Sequence, residues 1–192
     1  HVLQHEGAEF FHAEVELAPT ASDRWRYKLV ARDGSGADVW FSDPLSRRFE
    51  FDDNGRISIV RGGAARGHLE WIRGVHATQL GVARDIYLYV PRGYDASDKR
   101  YPVLYMHDGN NIFHPAQPRA APQSWQADAV AEAEIAAGRV RELIIVGIPN
   151  TDDRMTEYTH VEDEIDGRRL GGGGAKYGDF IVSDLKPLID RR

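Results

Sequence analysis

The residues Asp108-Gly109-Asn110 follow, through His107, on an apolar run from Pro102 to Met106. In an open α/β sheet, ligands bind just beyond the carboxyl ends of the strands, so a turn at that place is the first position to weigh for chemistry. A glycine there lets the backbone turn sharply and leaves amide N–H groups unclaimed by the sheet, and acyl-transfer enzymes use such amides to hold a developing oxyanion. One such donor stabilises a transition state by on the order of 3 kcal/mol. The same three residues also suit an ordinary tight turn, and by themselves they leave both readings open.

A second loop, Pro149 to Tyr158, leaves the end of the apolar run Leu143 to Ile148. Arg154 in it either clamps a substrate carboxylate or pairs with Glu157 or Asp153 to brace the loop. Other chemistry is poorly served. Gly171-Gly172-Gly173-Gly174-Ala175-Lys176 is followed by Tyr177 where a phosphate loop needs Ser or Thr, and no apolar strand leads into it, so it reads as a mobile loop. The eight histidines show no metal-ligand spacing, no metal or other cofactor is expected, and His68, His76, His114 and His160 read as surface or loop residues. With zero cysteines, disulfides, thiolate metal sites and a Cys nucleophile are excluded together. That absence suits either redox environment and assigns no compartment.

The elements that must position these loops change character along the chain. Up to about residue 60 apolar and polar residues alternate, in Phe11 to Leu17, Trp25 to Val30, Val39 to Phe41 and Arg56 to Val60, which predicts short strands. Turn residues at Pro19 to Asp23, Asp33 to Gly36, Asp43-Pro44 and Asp53 to Gly55 separate them. This is the pattern of part of a β-sandwich over 1–66, and Arg61 to Gly67 reads as a linker. Beyond it come strands at Leu69 to Leu80, Arg84 to Val90, Pro102 to Met106 and Leu143 to Ile148. Between the last two, Ser124 caps a predicted helix whose apolar face is Trp125, Ala129, Val130, Ala133 and Ala137, with Gly138 ending it. Strand, helix, strand predicts a βαβ unit and a largely parallel α/β sheet over 67–192. A second helix, Tyr177 to about Asp190, puts Tyr177, Phe180, Ile181, Leu185, Leu188 and Ile189 on one side, with a backbone bond or a kink as the cost of Pro187.

Of 192 residues 42% are hydrophobic, enough for a real core, and no apolar run approaches the roughly 20 residues of a membrane span. The formal charge of -6, with its cations scattered, gives no footprint for nucleic acid or anionic lipid. Oligomeric state is not legible. The chain begins at His1 without a signal-peptide pattern, so the natural start is expected upstream.

Ala83 to Tyr94 followed by Tyr101 to Asn111 resembles the Putative esterase family that includes esterase D and enterochelin esterase. The resemblance continues through Val146-Gly147-Ile148, Arg154, Glu157 and Tyr158, Lys176 to Phe180, and Leu185 to Asp190, in the family's order and spacing over residues 68 to 192. It implies an α/β-hydrolase fold and a small-molecule or glycan ester as substrate. It implies that the N–H of Asn110 is half of an oxyanion hole, that Asp108 and Gly109 shape its turn, and that Arg154 and Tyr158 frame the loop or orient substrate. The family's Gly-x-Ser-x-Gly elbow, acid and His are not in these residues. Of the eight serines only Ser35 has glycine on both sides, in a β-turn. The resemblance places the elbow about a dozen or two residues past Arg192, so the chain by itself is expected to be inactive. Arg24 to Val30, Asp33-Gly34 and Ser42-Asp43-Pro44 are similar to the latter half of early-set, immunoglobulin-like domains. Trp25, Tyr27, Trp40 and Phe41 there either stack on sugar or fill a core or interface. The competing function is therefore a glycan-binding protein on a degenerate hydrolase scaffold.

Overall fold

The computed structural model describes residues 4–5, 11–12, 15–18, 24–43, 46, 48–52, 55–61, 66–113 and 124–192. The turns expected at 19–23 and 53–54, Pro44, the middle of the linker at 62–65 and His114 lie outside these residues. In chain order come strands β1 (Gln4–His5), β2 (Phe11–His12), β3 (Arg24–Tyr27), β4 (Leu29–Arg32), β5 (Asp38–Phe41), β6 (Arg48–Asp52), β7 (Gly55–Arg61), β8 (His68–Ala77), β9 (Val82–Val90) and β10 (Val103–His107). Then follow helix α1 (Ala127–Ala136), strand β11 (Ile144–Ile148), helix α2 (Arg154–Glu157), the hairpin β12 (Glu162–Ile165) and β13 (Arg168–Gly171), and helices α3 (Gly174–Asp179) and α4 (Lys186–Asp190).

Seven strands form one sheet in the order β10-β11-β9-β8-β6-β7-β3. Only β10 and β11 run parallel, Val103 opposite Ile144 through to His107 opposite Ile148. The other pairings in this sheet are antiparallel. The sheet is thus mixed where a largely parallel one was expected. The reason is connection length: a parallel pair needs a crossover, which α1 supplies between β10 and β11, whereas β8 and β9 are joined by a tight turn at Thr78 to Gly81. The expected strand Trp25 to Val30 divides at Lys28, so that β3 pairs with β7 while β4 pairs with β5 as a separate hairpin. β6 pairs with β8 at Arg48–Glu70 and Phe49–Leu69, so strands from both sides of residue 66 share a hydrogen-bonded ladder.

The two-residue period of the strands divides the core. Ile86, Leu88, Val90, Ile144, Val146 and Ile148 face one side, where Tyr177, Phe180, Leu185 and Ile189 of the last helical segment cover them. Leu69, Tyr89 and Ile145 face the other, against Phe49, Ile112, Phe113 and Ala131 of α1. Each fully buried aliphatic or aromatic side chain here contributes about 1.5–3 kcal/mol. The sheet therefore lies between two helical layers.

Both helices differ from expectation in an instructive way. Helix α1 begins at Ala127 after Gln126 in left-handed geometry (φ 51), while the Ser124 hydroxyl accepts a hydrogen bond from the Gln126 amide at 2.9 Å. Its inward face is Ala127, Ala131 and Ile135. The predicted face is the outer one, with Trp125 51% and Val130 55% exposed. The face that the periodicity favours is mostly alanine and so weakly specified, and in the observed rotation Glu132 accepts from the Tyr89 hydroxyl (2.8 Å) and the Gly67 amide (3.0 Å). The last helical segment buries the predicted residues. Five residues of α-helix, at about 100° each, would leave Leu185 well off the face that Phe180 occupies. A π-helical stretch, Phe180–Leu185, widens the turn and brings both inward, and it ends just before Pro187, which has no N–H to continue the ladder.

Candidate active site

The ends of β10 and β11 lie side by side, because His107 is the register partner of Ile148. Asp108 is left-handed (φ 56). Gly109 is needed for a different reason from the sharp turn expected of it. A Cβ there would lie 2.5 Å from the carbonyl carbon of Gly147 and 2.6 Å from the Ile148 nitrogen, so only glycine lets the turn press against the β11 backbone. The Gly109 amide donates to the Ile148 carbonyl at 2.8 Å and the Asn111 amide to the Asp108 carbonyl at 2.8 Å. The Asp108 amide donates to the Tyr158 hydroxyl at 3.2 Å. The Asn110 amide, alone in this turn, has no acceptor among the described residues, and Asn110 is exposed.

A left-handed non-glycine residue costs about 1–2 kcal/mol, and a net of side-chain bonds holds it. Arg154 donates from Nε to Asp108 Oδ1 at 2.8 Å and from Nη2 to Oδ2 at 2.9 Å. Asn150 Nδ2 donates to the same Oδ1 at 2.5 Å, and Asn110 Nδ2 donates to Asn150 Oδ1 at 3.1 Å. The Arg154 hydrogen bonds foremost hold the Asp108 carboxyl below the ordinary carboxylate range. Arg154 therefore braces, as one of its two readings had it, but its partner is neither Glu157 nor Asp153.

Glu157 instead takes Arg84 of β9, at 2.6 Å and 3.2 Å, with both side chains buried. This pair pins α2 to the sheet and so fixes where Arg154 starts. The Arg154 guanidinium lies 4.9 Å from the Tyr158 ring centre, and the His107, Tyr158 and Tyr177 rings pack together with centroids 5.0–5.5 Å apart. His107 Nδ1 and the Tyr177 hydroxyl are 3.0 Å apart, and burial raises the Tyr158 and Tyr177 hydroxyl pKa values. The predicted residues Asp108, Gly109, Asn110, Arg154 and Tyr158 thus come together. Sequence reasoning passed over Asn150, Arg84 and Tyr177. Arg84, a cation two residues before the apolar run Ile86 to Val90, was the one signal available.

The glycine-rich run is packed against α2 and its neighbours. The Gly173 amide donates to the Thr156 carbonyl and the Gly174 amide to the Thr159 carbonyl, both at 2.9 Å, so neither is open to a phosphate. Among the described residues one group could offer metal ligands: the donor atoms of His68, Glu70 and Asp95 lie within 4.8 Å of one another. Arginines already occupy its carboxylates, Arg192 on Glu70 and Arg48 on Asp95. His68 is buried on β8 and not at the surface as expected. Among the described residues no helix is long and apolar enough to cross a membrane.

Residues 77–192 match the family described as Putative esterase. No curated protein matches the chain. Among solved structures, it is similar to an IroE-like serine hydrolase from Shewanella oneidensis at 26% identity and TM-score 0.53, over 64% of this chain and 38% of that one. It is also similar to a CE1 ferulic acid esterase from Anaeromyces mucronatus, solved with ferulic acid (18% identity, TM-score 0.43, 69% of this chain and 46% of that one). A third is the ferric enterobactin esterase of Salmonella typhimurium (15% identity, TM-score 0.43, 79% of this chain and 36% of that one). The chain spans less than half of the length of each.

Proposed function

Since the chain belongs to the Putative esterase family, we propose that it supplies the oxyanion-binding side of a serine-type carboxylic ester hydrolase. The observation that carries this reading is the Asn110 N–H, without an acceptor among the described residues while the amides of Asp108, Gly109 and Asn111 are all engaged. An ester carbonyl oxygen placed against that N–H gains negative charge as the tetrahedral intermediate forms, and a fixed donor stabilises that charge without reorganising. The nucleophile, its His and its acid belong to residues beyond this chain in the whole protein. β10 has a neighbour, β11, on one side only among the described residues, and a further strand along its other edge would bring a serine beside the Asn110 turn. The serine would attack, the His would take its proton, and an acyl-enzyme would form and hydrolyse. Arg154 and Tyr158 act here as positioning residues. Enterochelin esterase-like and esterase D-like substrates are the ester classes proposed for it.

The test uses the whole protein and a fluorophosphonate probe together with an aryl ester. Labelling and turnover are expected, with kcat reduced about 100-fold or more by Gly109→Ala. Asn110→Ala, which keeps the amide, should lose far less. No labelling by a folded whole protein would refute the reading.

A second reading rests on the β4–β5 hairpin. Trp40 is 64% exposed, paired across the hairpin with Val30, itself 49% exposed. Trp25 and Tyr27 are half-buried instead, with Trp25 Nε1 donating to the Ala18 carbonyl and the Tyr27 hydroxyl to Asp43, both at 2.7 Å. In this reading Trp40 is a sugar-stacking platform. Retardation in glycogen or starch gels that Trp40→Ala abolishes would support it.

A further inference from the structure

Charges in this protein are mostly matched, as with Arg24 and Arg26 on Glu50 or Arg139 on Glu134. Two arginines depart from that pattern at the same place. The guanidinium carbon of Arg56, on β7, lies 3.3 Å from the centre of the Trp71 ring, and that of Arg73, on β8, lies 4.3 Å from it. Among the described residues no carboxylate reaches ion-pair distance of either. Arg73 donates to the Ser46 carbonyl at 3.3 Å and otherwise faces solvent.

The arrangement is built into the strand. Between Ile72 and Val75 the β8–β9 register shifts at a bulge, with Gly74 left-handed (φ 61). Bulges re-aim side chains, and here Arg73 is turned over the ring of Trp71. One acid is close by: Asp85 accepts the Gly74 amide of the bulge at 3.0 Å through Oδ1, and its charge acts on Arg56 without an ion pair between them. Two buried donors at this place have no acceptor among the described residues, Nη1 of Arg56 and Nε1 of Trp71. Burial holds the Arg56 guanidinium below its ordinary pKa, against the opposing influence of Tyr87 and Asp85, and the charge of Arg73 adds a smaller push the same way. Two cations with a single carboxylate, Asp85, near them, and two donors without an acceptor among the described residues, leave room here for a further anion.

We propose that Arg56, Trp71 and Arg73 form an oxyanion-binding site that takes a carboxylate or a phosphate. Contact with the indole holds the guanidiniums in place, and a planar fork of N–H groups so held matches a group with two or more oxygens. Because Arg56 comes from β7 and Trp71 with Arg73 from β8, a bound anion would tie the early strands to the part of the sheet that carries the candidate active site. The site stands on its own residues and does not depend on the esterase reading.

The test is a ¹⁵N spectrum of this chain, in which the four tryptophans give four indole N–H signals and Trp71→Phe identifies the one that matters. Inorganic phosphate and, separately, acetate are titrated at constant ionic strength with chloride as the balance. A saturable shift of the Trp71 indole signal, with those of Trp25, Trp40 and Trp125 still, is expected with at least one of them. Phosphate alone, acetate alone or both would each support the site and name its class. Arg73→Gln, a change at an exposed side chain that leaves the fold intact, should weaken the apparent affinity about tenfold or more. Arg56→Gln should do the same, with Arg56→Lys as the variant that keeps the charge. No shift with either ion up to about 50 mM, far above the range of a two-arginine site, would overturn the proposal. A shift that Arg73→Gln leaves unchanged would overturn it as well.

Discussion

Arg154 and Asp108 meet through two parallel hydrogen bonds across 46 residues of sequence, Nε to Oδ1 at 2.8 Å and Nη2 to Oδ2 at 2.9 Å. The pair joins the turn after β10 to helix α2, and it holds the one left-handed residue of that turn. Arg154→Ala should cost about 1–2 kcal/mol, more than an exposed ion pair, because Asp108 stays behind in strained geometry with Asn150 as its remaining side-chain donor. Urea unfolding at pH 7 measures it.

The same pair predicts a pH dependence. The folded carboxyl of Asp108 has a pKa lowered from 3.8, so the unfolded state binds its proton first as the pH falls. The stabilisation is complete above about pH 4 to 5 and disappears as the pH drops through the folded value below 3.8. Wild type and Arg154→Ala should therefore differ in melting temperature at pH 6 and converge at the acid end. A difference that stayed constant to pH 3 would show that the bridge does not set this carboxyl's titration.

Arg84 and Glu157 are both buried, so removing one partner strands the other. Glu157→Gln or Arg84→Met alone should destabilise by about 3–5 kcal/mol, whereas Arg84→Met with Glu157→Leu should cost much less than the two added. A double-mutant cycle in urea gives the coupling. Additive single effects would mean that the pair does not act as a unit.

Two glycines at one sheet crossing test whether the collision partner decides the cost. At Gly109 a methyl group meets backbone at 2.5 Å, and at Gly147 it meets the flexible Cδ1 of Ile112 at 2.6 Å. Gly109→Ala should lose about 3 kcal/mol or more, and Gly147→Ala about 1, since a side chain can rotate away and a strand cannot. Equal losses would sink that distinction.

Helix α1 offers a test of which side faces in. Ala131 is 8% exposed and Val130 55%. Ala131→Asp should destabilise by about 3 kcal/mol or more by burying an unpaired charge, while Val130→Asp should stay within about 0.5 kcal/mol of wild type. The reverse order would restore the face that the periodicity suggests.

Local rules were enough for much of this protein. Alternation in β3 and β7 and the apolar run of β11 revealed strands, because side chains two apart share a face whatever the partner. Asp108-Gly109-Asn110 after β10 revealed a turn at a sheet end, and the residues of Tyr177 to Ile189 revealed an inward helix face. What stayed hidden depended on groups far apart in sequence. Arg154 had acids at Asp153 and Glu157 within reach along the chain, and only the parallel register of β10 and β11 brought Asp108 nearer in the right geometry. The pairing of β6 with β8, which joins early strands to the same sheet, rests on backbone hydrogen bonds that every residue can make and no side chain announces. The observed rotation of α1 lets Tyr89 and Gly67 bond Glu132, on a helix whose predicted face is mostly alanine and so weakly specified. Sequence fixes what each segment prefers, since that depends on neighbours a few residues away. The Asn110 amide's lack of an acceptor among the described residues is decided by tertiary structure, because it depends on where acceptors far away in sequence are placed.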